Sequence, residues 1–236
     1  LYFEPLCPED VMNVINLEKP FGVVVAFGGQ TSIKLTKVLE RNGVNIIGTS
    51  ADSIDMAEDR ERFDALLSAL DIKRANAHTV MTLEEAIAAA NDLTYPVLLR
   101  PSYVIGGQNM TIARSDSDVA EYMHIILQHE IDNPVLIDKY IEGMEIEVDS
   151  IYDGEDLLLP GIMQHVERTG IHSGDSIAVY PAYGLNSELE RKITETTLKL
   201  CRGLKATVIV NVQYSVKDNQ IYVIEVNPRA SRTVPY

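Results

Sequence analysis

The stretch Val208-Ile209-Val210-Asn211-Val212-Gln213-Tyr214-Ser215-Val216-Lys217-Asp218-Asn219-Gln220-Ile221-Tyr222-Val223-Ile224-Glu225-Val226-Asn227-Pro228-Arg229 decides how this chain is read. Two runs rich in β-branched and aromatic residues flank a polar Asp-Asn-Gln, which predicts an antiparallel hairpin. Successive side chains of a strand point to opposite faces. Alternation therefore sets Asn211, Gln213 and Ser215 on one face, and Val210, Val212, Tyr214 and Val216 on the other. In the second run Glu225 and Asn227 share a face, with Tyr222, Ile224 and Val226 opposite. A three-residue loop, Asp218-Asn219-Gln220, would pair Gln213 with Glu225 and bury the two apolar sets together. The other face then holds two amides and a carboxylate. Such oxygen donors suit Mg²⁺, which takes one or two carboxylates and keeps other positions for phosphate and water. A hairpin with one wet face is equally an ordinary antiparallel arrangement, so alternation alone leaves both readings open. The next residues favour a site, because Pro228-Arg229-Ala230-Ser231-Arg232 sets two arginines beside the carboxylate.

Two loops upstream carry related chemistry. Arg100-Pro101-Ser102-Tyr103-Val104-Ile105-Gly106-Gly107-Gln108 puts an arginine at a strand end before a Gly-Gly pair. Glycines let backbone N–H groups approach an oxyanion closely, so a flap over phosphate is one reading and a plain hairpin turn the other. Thr169-Gly170-Ile171-His172-Ser173-Gly174-Asp175-Ser176 is too polar for a core and reads as a functional loop. The remaining histidines, His78, His124, His129 and His165, show no ligand spacing and are expected on the surface or in the core.

Elsewhere the pattern alternates helix and strand. Val11, Val14 and Ile15 mark a short helix. A strand over residues 22–27, the turn Gly28-Gly29-Gln30-Thr31, a helix ending at Gly43 and a strand over 45–48 form a β-turn-helix-β unit. The full dinucleotide fingerprint is absent from that turn. Phe63, Leu66, Leu67 and Leu70 line one helical face. Thr82 and Glu85 predict a capping box for a helix through Asn91. Strands follow at 95–100, 110–114 and 134–140, with a helix marked by Val119, Tyr122, Met123 and Ile126 between. Residues 145–179 are strand-rich, and Ser187 with Glu190 should cap a helix running to about Lys205. The expected fold is α/β with mixed sheets.

Composition narrows the function classes. A formal net charge of −15 argues against a nucleic-acid backbone as partner, which needs clustered Lys and Arg. It also means that a polyanionic substrate must find a local field of arginines, backbone N–H groups and a cation. No apolar run approaches the ~20 residues that span a bilayer, so no membrane partner is expected. The two cysteines, Cys7 and Cys201, fit no metal spacing and read as small hydrophobes of a reduced, cytoplasmic protein.

Taken in order, five stretches resemble the ATP-grasp enzymes, and among them the large subunits of carbamoyl phosphate synthetases. They are Phe27-Gly28-Gly29-Gln30-Thr31, Ala57-Glu58-Asp59-Arg60-Glu61-Arg62-Phe63, Arg100-Pro101-Ser102-Tyr103, Gly170-Ile171-His172-Ser173-Gly174-Asp175-Ser176 and Glu225-Val226-Asn227-Pro228-Arg229. Phe3-Glu4-Pro5-Leu6, Ser173 and Arg232-Thr233-Val234-Pro235 resemble the carboxy-terminal half of that subunit, which phosphorylates carbamate.

The resemblance implies a truncated Rossmann-like pre-ATP-grasp domain at 1–50. An ATP-grasp domain would follow at 51–236, with a small lobe at about 78–141 and a large lobe at about 142–236. It implies ATP as substrate, with Mg²⁺ or Mn²⁺ and with K⁺ as a further candidate. Arg60 and Arg100 would contact the ATP phosphates. Backbone groups near Lys139 and Ile141 would hold adenine, Glu145 the ribose, and Gly170, Ile171, His172 and Ser173 would line the nucleotide site. Gln213, Glu225 and Asn227 would hold metal, while Arg229 and Arg232, with Asn227, would act on the acceptor. The family also implies a glutaminase small subunit and a bicarbonate-phosphorylating half as partners, and a role in pyrimidine and arginine biosynthesis, this chain being a piece of such a protein. Another ATP-grasp carboxylate-amine ligase, a biotin carboxylase and a non-catalytic ATP-binding module stay open beside it.

Overall fold

A computed structural model describes residues 1–101, 110–128, 134–171 and 173–235. The N-terminal unit begins with α1 (Pro8–Glu18), whose proline stands where a helix has no use for an N–H. The stretch after Gly28 forms two short helices, α2 (Gly29–Ile33) and α3 (Thr36–Arg41). Gly43 follows with φ +75°, the left-handed stop expected of it. The two strands expected around these helices shrink to one parallel bridge, Val23 to Ile46. It is held by Val23 N–H to Asn45 O at 2.8 Å and Ile47 N–H to Val23 O at 2.9 Å. A parallel pair without further strands beside it cannot extend a ladder, and Val24 and Phe27 stay exposed. Val25, Ile33, Leu35, Leu39 and Ile54 bury together as a separate small core.

Two capped helices lead out of this unit. In α4 (Ala51–Glu58) the Ser50 side chain accepts from Ser53 N–H, and in α5 (Arg60–Ala69) the Asp59 side chain accepts from Arg62 N–H.

A four-stranded antiparallel sheet follows, in the order β1-β4-β2-β3. Its elements are β1 (Ala77–Val80), α6 (Leu83–Leu93), β2 (Val97–Pro101), β3 (Thr111–Ala113), α7 (Asp116–Gln128) and β4 (Val135–Lys139). The capping box at Thr82 and Glu85 is present in full. Helices α6 and α7 bury Ala86, Ala90, Val119 and Met123 against Val97, Leu99 and Ile137. That covers one face. The alternate residues Leu98, Arg100, Leu136 and Asp138 stay off this core.

The larger sheet runs β10-β9-β5-β7-β8, with β6 beside β5. It comprises β5 (Met144–Tyr152), β6 (Leu157–Leu158), β7 (Met163–His165), β8 (Ala178–Val179), α8 (Ser187–Leu204), β9 (Val208–Lys217) and β10 (Gln220–Asn227). The cap of α8 is Asn186, whose side chain accepts from Leu189 N–H at 2.9 Å, and not Ser187, which is already helical. Phe63 and Leu67 of α5, with Ile193, Leu200 and Cys201 of α8, cover Ile146, Val148, Val210, Val212 and Tyr214. Burying each large aliphatic side chain contributes ~1.5–3 kcal/mol, so this face holds the sheet flat against its helices.

The decisive hairpin forms, by a different route from the one alternation implies. Asp218 and Asn219, both at positive φ (50° and 58°), make a two-residue turn of the kind hairpins favour. Pairing then runs from Gln220 with Lys217 to Val223 with Tyr214, slips by one residue at Ile224, and resumes with Glu225 opposite Gln213 and Asn227 opposite Asn211. The bulge changes which residues are buried. Ile221, Val223 and Val226 meet the core, whereas Tyr222 pairs with Ser215 and Ile224 is only half-buried. One inserted residue flips every side chain before it, which is why plain alternation misplaced Tyr222 and Ile224.

The chain crosses between the two sheets twice, at 72–76 and at 140–143. The first crossing lies along β10, with Val223 N–H donating to Lys73 O at 2.9 Å. The crossings are joined by Lys139 N–H to Asn76 O at 2.7 Å.

Candidate active site

The uncovered face of the large sheet is polar across three strands. On β5, Glu145, Glu147 and Asp149 stand opposite Ser215, Gln213 and Asn211 of β9. Glu225 and Asn227 of β10 extend the same face. Most of it is buried: Glu147 and Asn211 are each 1% exposed, while Glu225 at the edge is open to solvent. Buried polar groups usually find partners, and several here find each other, whereas Ser215 Oγ has none among the described residues. Asn211 Nδ2 donates to Glu147 Oε1 at 2.7 Å and to Asp149 Oδ1 at 3.0 Å. Asn227 Nδ2 donates to Glu225 Oε1 at 2.8 Å, and Arg229 Nη2 donates to Asn227 Oδ1 at 3.1 Å.

His165 of β7 sits between two carboxylates of β5. Its Nε2 lies 3.0 Å from Glu147 Oε2, and its Nδ1 lies 3.3 Å from Glu145 Oε1. The second contact is an ion pair without hydrogen-bond alignment, since Nδ1 has no hydrogen-bond partner among the described residues. Burial alone would lower the His165 pKa, but the Glu145 and Glu147 carboxylates outweigh it and hold it up at about 9. Burial likewise opposes ionisation of Glu147, and hydrogen bonds from His165 and Asn211 overcome that and depress its pKa. A resident imidazolium is thus built into the polar face.

The segment after β10 folds back over this face. Arg232 Nη2 donates to Ser176 O at 2.6 Å, and Ala230 N–H donates to Ala26 O at 2.8 Å, which ties the segment to the N-terminal unit. Arg229 Nε is buried without a partner among the described residues.

In the small sheet, Asp138 is held by two arginines. Arg100 Nε lies 2.8 Å from Asp138 Oδ2, and Arg60 Nη2 lies 3.4 Å from Oδ1. Arg60 and Arg100 are therefore neighbours although they are far apart in sequence. The Lys139 side chain turns away to the end of α6, where Nζ donates to Thr94 O at 2.8 Å. Its N–H is engaged by Asn76, so any adenine contact there rests on the Lys139 carbonyl and the nearby Ile141 backbone. The loop carrying Gly170 and Ile171 closes the other end. Tyr140 Oη donates to Thr169 O at 2.7 Å, and a Cβ on Gly170 (φ +94°) would lie 3.4 Å from the Tyr140 ring. The Gly106-Gly107 pair and His172 lie outside the described residues. Ser173 opens a short 3₁₀ turn, Ser173–Asp175.

The structure thus gathers Gln213, Glu225, Asn227, Arg229 and Glu145 on one polar face, and brings Arg60 of α5 beside Arg100 of β2 at Asp138. Sequence reading missed His165, Glu147, Asp149 and Asp138. A signal for two of them was present: Glu145-Ile146-Glu147-Val148-Asp149 alternates carboxylate and aliphatic at period two, the mark of a strand with an acidic face.

The donor set fits a hard cation. Among the described residues, no three His, Cys, Asp or Glu side chains converge as a metal cluster. Gln213 and Asn227 add amide oxygens to the exposed Glu225 carboxylate, and phosphate and water would complete the ligands of Mg²⁺. A cleft of about 970 Å³ opens elsewhere, among Arg60, Arg74, His78, Lys139 and Tyr222. It touches none of Gln213, Glu225 and Asn227.

Two antiparallel sheets of this order make the ATP-grasp fold, which solved structures share. Biotin carboxylase from Campylobacter jejuni, in its ATP-analogue complex, superposes with a TM-score of 0.80 at 17% identity, over 97% of this chain and 53% of that one. The biotin carboxylase domain of 2-oxoglutarate carboxylase from Hydrogenobacter thermophilus, with MgADP, gives 0.81 at 18%, over 100% and 55%. D-alanine–D-alanine ligase from Bacillus anthracis, complexed with ATP, gives 0.72 at 21%, over 94% and 72%.

Residues 59–236 match the family model of the carbamoyl-phosphate synthase L chain ATP-binding domain, and residues 1–56 match the carbamoyl phosphate synthase preATP-grasp domain. The chain belongs to the carbamoyl phosphate synthase large chain family. It is 56% identical over its whole length to the carbamoyl phosphate synthase large chain of Lachnoclostridium phytofermentans and 55% identical to that of Agathobacter rectalis. It spans 22% of the length of either relative. Among the described residues no helix is long and apolar enough to cross a membrane.

Proposed function

We propose that this chain is the ATP-grasp unit that phosphorylates carbamate to carbamoyl phosphate within a large chain of carbamoyl phosphate synthase. The observation that carries the reading is the juxtaposition of Glu225, Gln213 and Asn227 with Arg229 on one face of the cleft. In this reading residues 1–50 are part of a pre-ATP-grasp domain. Residues 78–141 form the small lobe, 142–236 the large lobe, and ATP lies between them.

Gln213, Glu225 and Asn227 would hold Mg²⁺, which when bound neutralises charge on the β- and γ-phosphate oxygens. Arg60 and Arg100 would exchange their contact with Asp138 for phosphate oxygens. Arg229 and Arg232 would orient the acceptor, and the buried Arg229 Nε is a donor in want of such a ligand. No protein nucleophile is needed, because the carbamate oxygen attacks the γ-phosphorus in line and the residues supply position and charge. Ser173 and the Arg232-Thr233-Val234-Pro235 run support the carbamate half over the bicarbonate half. A glutaminase subunit, a bicarbonate-phosphorylating half and a role in pyrimidine and arginine biosynthesis belong to the same reading.

Carbamate decomposes in water, so the test is best run in reverse. Carbamoyl phosphate and MgADP should yield ATP, read by a coupled luciferase assay. ATP turnover elicited only by biotin or by an amino acid would overturn the proposal in favour of another ATP-grasp ligase.

A further inference from the structure

Asp149 has no part in the reaction just described, yet it is 9% exposed and fully engaged. Its Oδ1 accepts from Asn211 Nδ2 at 3.0 Å. Its Oδ2 accepts from Ser231 Oγ at 2.7 Å and from Thr233 Oγ1 at 2.6 Å. It forms no ion pair among the described residues. A buried carboxylate without a countercharge is an expensive way to stabilise a fold, and an apolar residue would serve packing better. What the carboxylate offers is several acceptor positions with fixed directions.

Those positions hold the arginine segment. Ser231 lies between Arg229 and Arg232, and Thr233 follows directly. The two hydroxyls are themselves 2.6 Å apart, and Thr233 N–H donates to Ser231 Oγ at 3.0 Å. On the other side Ala230 is fastened to Ala26. The segment is thus pinned at Ala230, Ser231 and Thr233, and these anchors set the backbone from which Arg229 reaches Asn227 Oδ1 and Arg232 reaches Ser176 O.

Resting on the function proposed above, we infer that Asp149 is a positioning residue. It clasps the Ser231 and Thr233 hydroxyls and so sets Arg229 and Arg232 at the acceptor end of the cleft. The clasp can be tested apart from the reaction. In Asp149→Ala, amide hydrogen exchange at 229–235 should speed up at least tenfold without ligand, while β9 amides keep their protection. Mg-ATP affinity should stay within about threefold, and KM for carbamoyl phosphate in ATP synthesis should rise at least tenfold. Asp149→Asn, which keeps one acceptor, should fall between wild type and Asp149→Ala. If Asp149→Ala does not fold, Ser231→Ala and Thr233→Val should each reproduce the faster exchange.

Unchanged exchange at 229–235 would overturn the clasp. So would loss of ATP affinity and of β9 protection in step with activity, which would mark Asp149 as merely structural. A wild-type chain without ATP synthesis would sink the functional reading alone, and exchange would still decide the clasp.

Discussion

Gln213 faces Glu225 across the β9–β10 ladder because Ile224 stands unpaired between Val223 and Glu225. A two-residue turn without that bulge would set Gln213 opposite Ile224, and the carboxylate one place further along. The arrangement therefore depends on one inserted residue, and bulges are a common means of re-aiming a side chain beside an active site.

Deleting Ile224 is predicted to leave a regular hairpin, since Glu225 then takes its place opposite Gln213 in unbroken alternation. Thermal melting should move by only a few degrees. The strand would lose the bend that directs Glu225, and ATP synthesis from carbamoyl phosphate should drop more than tenfold. Full activity in the deletion variant would show that the bulge has no part in aiming the carboxylate.

Glu225→Gln should leave the fold intact, because the residue is exposed and anchors no core. Losing the one carboxylate of the donor set should cut turnover at least a hundredfold and raise the Mg²⁺ concentration required. Titration of activity against Mg²⁺ checks this, and an unchanged magnesium profile would exclude Glu225 as a ligand.

The His165 pair of ion contacts makes stability depend on pH. Its pKa is raised from 6.5 to about 9, so its contribution is complete below pH 6.5 and lost as pH rises through 9. At about 1.4 kcal/mol per unit, the loss is on the order of 3 kcal/mol. Denaturant unfolding between pH 6.5 and 9.5 should show this slope, and His165→Asn should flatten it. Glu147 has the opposite sign, its lowered pKa giving stability that disappears in acid.

Gly143→Ala should be strongly disruptive. A Cβ there would lie 2.5 Å from Val216 O and 2.9 Å from Ser215 Oγ. The carbonyl belongs to a ladder and cannot yield, so the crossing between the sheets must shift, at a cost of ~1–3 kcal/mol. Melting temperature and ATP affinity should fall together, since the same crossing carries Ile141.

Residue types at period two and residue runs at motif spacing were legible in the sequence. The Gln213–Glu225 pairing was read correctly from an incorrect turn, because a bulge leaves no trace in alternation. The capping box at Thr82 and Glu85 was readable because it is local. His165 was not, since its partners lie on β5 and reach it only through the pairing of Glu147 with Met163. Alternation showed the face of Asp149 but not its partners, whose hydroxyls stand 82 and 84 residues away. The strand at 22–27 was overread, because apolar alternation reports a strand's fitness for pairing and not whether neighbours are there to pair with it.

The bond between Lys139 N–H and Asn76 O, with the seam of 72–76 along β10, constrains how the protein can move. A single connecting strand would let the two sheets swivel freely about it. Two crossings fastened side by side resist twisting, as a hinge with two knuckles does, and leave bending as the easy motion. Such a hinge would carry Arg100 and Glu225 along nearly the same path each time, and in the proposed reading a nucleotide between them would have a fixed direction of entry.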